Sequence, residues 1–243
     1  MMAAYYHLLF PARQAQLDFL AKLAGAPPAA LVDVASGTGE YTAALCEIGY
    51  GCVGIELDPA MHLRAIKRHG QTLPPRFVQG DMLELTELVR GPLALAFCIG
   101  NSLPLLKDDA QVREAINQMW DLTNPVGAVA LQVVNFDRAL AELTSGGFVM
   151  PDLSAEFPGG GTVRLERSYT LQNSPEHVVF RTCLSTPEGM MESTTPLLAQ
   201  TRERLSALLP RGASVEWSGD FAGAPWSERA PATVLTLRRP ALH

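Results

Sequence analysis

Apolar residues in the first 135 positions fall into short runs separated by amphipathic stretches. The spacing predicts strands over 31–35, 52–57, 76–79, 93–99 and 128–134. Between them, 40–48, 59–68 and 109–122 carry apolar positions at helical spacing, and a shorter helix is expected over 83–88. Ahead of the first strand, 5–23 puts Leu17, Phe19, Leu20 and Leu23 on helical positions. Pro11 interrupts that helix and Pro27-Pro28 closes it. Regular alternation of strand and helix predicts an α/β fold, a doubly wound and mostly parallel sheet with helices on both faces.

Beyond Asn135 the pattern changes. Residues 146–195 are rich in Gly, Pro, Ser and Thr and show no helical period. Two strand-like runs, 162–171 and 178–184, flank a turn signal at Asn173-Ser174-Pro175-Glu176, which predicts a small antiparallel β insertion. Helical spacing returns over 196–209 (Leu198, Thr201, Leu205, Leu208), and strands are expected over 213–218 and 233–237. The expected organisation is one domain formed by 1–145 and 196–243, with 146–195 inserted over the substrate site.

Composition narrows this picture. A chain of 243 residues, 47% of them hydrophobic, can bury a full core within one α/β domain. The net charge of -6 argues against a large phosphate-binding surface, so no nucleic-acid partner is expected. The four cysteines (Cys46, Cys52, Cys98 and Cys183) lie scattered in apolar segments without metal-ligand spacing, and no metal site is expected. The N-terminal segment lacks a basic lead, and no apolar run reaches the roughly 18–20 residues that span a bilayer. A cytoplasmic location and no membrane partner are expected.

The chemistry concentrates in Leu31-Val32-Asp33-Val34-Ala35-Ser36-Gly37-Thr38-Gly39-Glu40-Tyr41-Thr42. A strand breaking into a helix through glycines lets the backbone approach a ligand, with helix N–H groups exposed nearby. That suits a nucleotide-like cofactor, although a purely structural tight turn would read the same way. The dinucleotide fingerprint G-x-G-x-x-G is incomplete, because Thr42 holds its third position. Glu56 ends the second strand, about 20 residues beyond the turn, where a carboxylate accepts from ribose hydroxyls. A solvated charge is the bland reading. Asp58-Pro59 reads as a helix cap. Asp81 ends the third strand, either accepting from an adenine amine or capping the next helix. Leu57 and Met82 follow those two carboxylates, and Met61 either packs on a base or belongs to the core. Gly37, Glu56 and Asp81 thus fall at three successive strand ends, where open α/β sheets bind ligands.

With Asp33 and the Ser36–Gly39 turn, this segment resembles motif I of the class I S-adenosylmethionine-dependent methyltransferases, with Ala35 in place of the first glycine. Gly100-Asn101-Ser102 after the fourth strand, and Asn135-Phe136-Asp137 after the fifth, are similar to the small-molecule branch that contains glycine/sarcosine N-methyltransferases. The resemblance covers about 5–239. It implies a seven-stranded Rossmann-like sheet, S-adenosylmethionine as cofactor, a small-molecule methyl acceptor, and a monomer or homodimer. It implies a cofactor set of Asp33, Ser36, Gly37, Thr38, Gly39, Glu56, Leu57, Met61, Asp81, Met82 and Ile99. Asn101 and Asn135 would act in catalysis, with Tyr6, Asn101, Asn135 and Asp137 on the acceptor. Two departures matter. The arginine expected before the Asn-Tyr-Asp segment, which clamps glycine's carboxylate, is Val134 here, and Phe136 replaces the tyrosine. Glycine itself is therefore not the expected acceptor.

Methyl transfer from a sulfonium asks mainly for alignment and exclusion of water. Asn101 would orient the acceptor through its carbonyl, or else cap its own loop. Tyr5 and Tyr6 either fold over the site as an aromatic lid or belong to a helix core. A hydroxyl acceptor, unlike an amine, would need a base, for which His7 is a candidate. Arg164, Arg167, Tyr169 and Arg181 in the insertion read as acceptor-selecting residues or as a solvated sheet face. A nicotinamide-dependent oxidoreductase and a non-catalytic S-adenosylmethionine-binding module stand as alternatives.

Overall fold

The computed structural model describes residues 2–70, 76–148, 150–157, 160–171 and 177–240. The turn expected over 173–176 lies outside them. Two helices open the chain, α1 (Met2–Leu9) and α2 (Gln14–Ala24), split where Pro11 interrupts the helical period. Then follow β1 (Ala30–Val34), α3 (Glu40–Glu47), β2 (Gly51–Glu56), α4 (Pro59–His69) and β3 (Arg76–Gln79). A 3-10 turn at Met82–Glu84 leads into α5 (Leu85–Leu88), β4 (Leu93–Cys98), α6 (Asp109–Leu122), β5 (Thr123–Val134) and α7 (Phe136–Ser145). The remainder is β6 (Leu153–Glu156), β7 (Thr162–Leu171), β8 (His177–Thr186), β9 (Gly189–Leu198), α8 (Arg202–Leu208), β10 (Ser214–Ser218) and β11 (Ala232–Arg238).

Seven strands form the principal sheet in the order β10-β11-β5-β4-β1-β2-β3. Neighbours pair in parallel except around β11, which runs antiparallel to both β5 and β10. This is the expected doubly wound, Rossmann-like architecture. The strands are apolar at successive positions because both faces are covered. Val32, Val34, Ala96 and Cys98 face one side, against Val112, Ile116 and Met119 of α6. Leu31, Leu95 and Phe97 face the other, against Leu20 of α2 and Leu45 of α3. The order reverses between β1 and β4, and ligands bind at such a switch point.

A separate antiparallel sheet, β6-β7-β8-β9, stands beyond α7. It has four strands where two were expected. Part of its inner face packs on α1, with Val163, Leu165 and Leu184 against Tyr5 and Leu9. Tyr169, Val178 and Leu197 join the principal core instead. Residues 196–198, expected to open a helix, instead end β9, where Pro196 pairs with Val179. A proline is tolerated there because β9 is an edge strand and its missing N–H breaks no ladder bond on the free side. The helix starts only at Arg202, where Thr201 Oγ1 accepts from Arg204 N at 3.2 Å. Helix α7 was not expected at all. Its signal was present in Asn135, a capping residue, followed by buried Phe136 and Ala139 at helical spacing. Among the described residues no helix is long and apolar enough to cross a membrane.

Candidate functional site

The site begins where β1 ends. Ala35 takes the left-handed conformation at φ 60°, and Gly37 (φ 59°) and Gly39 (φ 83°) continue the turn. A Cβ on Gly39 would lie 2.5 Å from Phe77 Cε1, so no larger residue fits. Asp33 holds the turn from below, accepting from Thr42 Oγ1 at 2.8 Å and also from the Thr42 amide. Thr42 thus has a use that a glycine could not serve: it ties the first turn of α3 to the strand. Asp33 is 3% exposed, and burial pushes its carboxyl up to about 7 against the Thr42 hydrogen bonds. Expected as a cofactor contact, it positions the turn through these bonds to Thr42.

Glu56, at the end of β2, joins two strand ends. One carboxylate oxygen accepts from Gly37 N at 2.7 Å and the other from Asp58 N at 2.8 Å. Burial raises its pKa, and those two backbone donors oppose the rise. Asp58 caps α4 as expected, accepting from Ala60 N and Met61 N at 2.7 and 3.0 Å, with Pro59 in the first turn. A cleft of about 560 Å³ opens beside these residues. Ala35, Glu56, Leu57, Asp81 and Met82 line it, together with Leu105 and Lys107, which the sequence reading missed. Leu57 and Leu105 are 61% and 58% exposed, so the cleft presents bare apolar side chains, as a flat heteroaromatic ligand requires. The clue to Leu105 was the apolar run Leu103–Leu105 and Leu106 directly after Gly-Asn-Ser, outside any expected element. Asp81 lines the cleft and caps the turn that follows, accepting from Leu83 N at 2.9 Å.

The other expected contacts are not among the residues that line the cleft. Thr38 is buried, its hydroxyl donating to Glu40 at 3.2 Å. Ile99 belongs to the core beneath the sheet end, and Met61 is half-buried on α4 away from the cleft lining. Ser36 keeps its place in the turn, with a buried Oγ that meets no protein partner. Tyr6 of α1 lies on the turn: a Cβ on Gly37 would come within 3.3 Å of its ring. Burial next to Glu56 pushes the Tyr6 phenol up to about 12. Tyr5 instead packs into the cluster between α1 and the second sheet. His7 faces the charges of α4, among them Arg64 and Arg68, whereas burial is the main cause that lowers its pKa.

Across the switch point, Asn101 follows β4 in the left-handed conformation at φ 69°. Its amide oxygen accepts from Val134 N at 2.9 Å, and its amide nitrogen stands 3.5 Å from the Tyr169 hydroxyl. Tyr169, on β7, sits among Phe136, Phe148 and Phe180, with ring centroids 6.2, 5.5 and 5.1 Å away. Burial raises its phenol to about 12. Asn135 is 1% exposed and spends its amide on structure. Its oxygen accepts from Arg138 N, and its nitrogen donates to the carbonyls of Ser227 and Ala230, both at 3.0 Å. Asp137 accepts from Arg202 N at 2.8 Å and so joins α7 to α8. Asn135 and Asp137, expected on the acceptor, hold the scaffold in this structure: both N–H bonds of the Asn135 amide are used, and the Asp137 carboxylate anchors a helix start.

Residues 31–127 match the family model described as a methyltransferase domain. The chain thus carries a methyltransferase domain in the fold of the class I S-adenosylmethionine-dependent methyltransferases. It is 30% identical over 169 residues to a glycine/sarcosine N-methyltransferase of Parasynechococcus marenigrum, covering 68% of this chain and 55% of that one. The chain spans about half the length of the curated relatives it matches. Its fold is that of an S-adenosylmethionine-dependent methyltransferase from Clostridium acetobutylicum (TM-score 0.77, 14% identity, 98% and 97% of the two chains). It is also that of CalS10, an amino pentose methyltransferase of Micromonospora echinaspora (TM-score 0.68, 22% identity, 97% and 95%). The matched methyltransferase domain and the fold identify the cofactor as S-adenosylmethionine rather than a nicotinamide dinucleotide. The site suits it on its own terms: a glycine turn closed to side chains, a carboxylate at the next strand end, and a cleft with apolar walls.

Proposed function

We propose that this chain methylates a nitrogen of a small amine acceptor, with S-adenosylmethionine as the methyl donor. Glu56 and the Gly37 turn hold the ribose end, Leu57, Asp81, Met82 and Leu105 hold the base, and Tyr6 shields the turn from water. Bound there, S-adenosylmethionine supplies a sulfonium-activated methyl, leaving S-adenosylhomocysteine once the acceptor lone pair has taken it. Asn101 and Tyr169 stand where the acceptor enters. The second free lone pair of the Asn101 oxygen can take an amine N–H and leave the nitrogen lone pair directed at the methyl.

The observation that favours nitrogen over oxygen is the chemistry around Asn101. A hydroxyl acceptor needs a base, and the polar neighbour is a tyrosine whose phenol stays protonated at neutral pH. His7 lies toward α4 instead. The amine-methylating names among the similar proteins, glycine/sarcosine and amino pentose, are consistent with this reading. The second sheet, which overlaps the expected insertion 146–195 and runs on to Leu198, is read as the roof of the acceptor side.

Calorimetry with S-adenosylhomocysteine, followed by incubation of a pool of small amines with methyl-labelled S-adenosylmethionine, tests the proposal. Heat of binding and a one-methyl mass gain on an amine are expected. Binding of NAD with no heat from S-adenosylhomocysteine would overturn the proposal. Tyr169→Phe should retain turnover within about tenfold, since no proton needs to be taken. A loss of more than about 100-fold at unchanged cofactor affinity would point to an oxygen acceptor and a Tyr169 base.

A further inference from the structure

On β7 and β8, from the Leu165–Leu184 pair to the Leu171–Val178 pair, the inner face of the second sheet is apolar except along one row. On β7, alternate residues Val163, Leu165, Arg167, Tyr169 and Leu171 share that face, and all but Arg167 suit a buried surface. Their register partners on β8 repeat the pattern: Leu184 stands opposite Leu165, Thr182 opposite Arg167, Phe180 opposite Tyr169 and Val178 opposite Leu171. A cation and a hydroxyl thus interrupt two apolar strands at the same level. Leu165 and Leu184 bind α1 on one side of the row, and Tyr169 and Val178 enter the principal core on the other.

Arg167 is half-buried at this seam. One guanidinium nitrogen donates to Pro151 O at 2.7 Å, and its Nε is buried without a partner. Among the described residues no carboxylate pairs with it. Asp152, the acid that influences it, is bound to Arg164 at 2.6 Å. Arg13 is close enough to repel it. A partly desolvated cation beside a like charge is costly unless something of opposite sign completes it.

Its surroundings say where that completion would come from. The guanidinium lies 6.0 Å from the ring of Phe10, Phe10 lies 4.6 Å from Tyr6, and Tyr6 covers Gly37. On the other side, Tyr169 reaches Asn101. Arg167 therefore stands between the glycine turn and Asn101, on the roof of the space where the acceptor is placed above. We infer that Arg167 anchors an oxyanion carried by the methyl acceptor, a carboxylate or a phosphate, with Thr182 beside it and Arg13 adding to the positive field. This rests on the methyl-transfer reading. A planar guanidinium fork matches both anions, which a lysine would not do in the same way.

The test uses the full chain, 15N-labelled and saturated with S-adenosylhomocysteine, and follows the arginine Nε–H signals by NMR. The signal missing from Arg167→Lys identifies Arg167. Four probes are titrated: 6-aminohexanoate against 6-aminohexanamide, and O-phosphoethanolamine against ethanolamine. The Arg167 signal should shift saturably with a carboxylate or a phosphate and stay still with the neutral partners. A response to only one of the anions supports the inference and names the source. Arg167→Gln, with S-adenosylhomocysteine affinity kept within about twofold as proof of folding, should weaken that anion's inhibition of methyl transfer or its own methylation by about tenfold or more. Should Arg167→Gln not fold, Arg167→Lys serves instead, with binding kept but weakened. Equal shifts with charged and neutral probes, or none with either anion, would overturn the assignment. Failure of S-adenosylhomocysteine to bind would overturn the methyltransferase reading itself, so the two failures are distinct.

Discussion

The two halves of the proposed site are built from different materials. The cofactor half consists of strand ends and backbone groups: a carboxylate on β2 meets a glycine amide 19 residues earlier. The acceptor half is assembled from side chains on two sheets, with Asn101 and Tyr169 meeting across 68 residues. Local geometry is imposed by the turn itself and tolerates few residue types. A surface assembled from distant strands can change residue by residue while its scaffold persists. A shared methyl donor with variable acceptors would require this division.

The largest expected effect concerns what supports the cofactor half from beneath. Asp33 has a folded pKa of about 7, raised by burial, against ~3.9 for an unfolded aspartate. With the folded value above the unfolded one, its contribution to stability is full below about pH 4 and is lost as pH rises through about 7. Asp33→Asn can still accept from Thr42 but has no charge to desolvate. The stability of the wild type relative to Asp33→Asn should therefore fall by up to about 4 kcal/mol between pH 4 and pH 8. Urea melts of both proteins across that range check it, and parallel curves would show that the buried carboxyl does not titrate as described. The affinity for S-adenosylhomocysteine should stay within about threefold, as befits a support rather than a contact.

Glu56 should behave in the opposite way. It is the acid of the cofactor half that meets both the turn and the cleft. Glu56→Ala should weaken S-adenosylhomocysteine binding by about 3 kcal/mol, roughly 100-fold, through loss of charge-assisted hydrogen bonds. Calorimetry with circular dichroism as a folding control measures this. Unchanged affinity in a folded variant would break the comparison, because the half said to depend on strand-end carboxylates would not need this one.

The sequence shows the first half more openly than the second for the same reason. Apolar runs on β1, β2 and β4 are unambiguous because both faces are buried, and Gly37 and Gly39 are demanded by φ. The capping reading of Asp58 and the cleft position of Asp81 follow from residues at fixed offsets from strand ends. Asn135 could be read two ways, because a helix cap and an acceptor contact both call for an asparagine at a strand end, and the structure shows the cap. Strand β6 is a four-residue segment without a strong pattern, and β9 carries a proline that reads as a stop unless its edge position is known. Arg167 was visible only as one of several arginines. Strand parity separates it: Arg164 and Arg181 fall on the opposite face from Val163, Leu165 and Leu184, and Arg167 on the same one.

The smallest effect is also the sharpest, since it asks the same question of both halves. Ala35 and Asn101 end neighbouring strands, and among the described residues they are the non-glycine positions with positive φ. The left-handed region costs alanine about 1–2 kcal/mol but is accessible to asparagine at much smaller cost. Ala35→Gly removes that strain and returns about 0.5–1 kcal/mol of it as extra freedom of the unfolded chain. A net stabilisation of about 0.5 kcal/mol is expected, with cofactor affinity unchanged. In Asn101→Gly there is little strain to relieve, and the bond from Val134 N to the amide oxygen disappears. That change should cost about 1 kcal/mol and reduce turnover while S-adenosylhomocysteine still binds. Denaturant melts of the two glycine variants should therefore move in opposite directions. If both stabilise, the Asn101 side chain contributes nothing at the strand end, and its place in the acceptor half loses its structural basis.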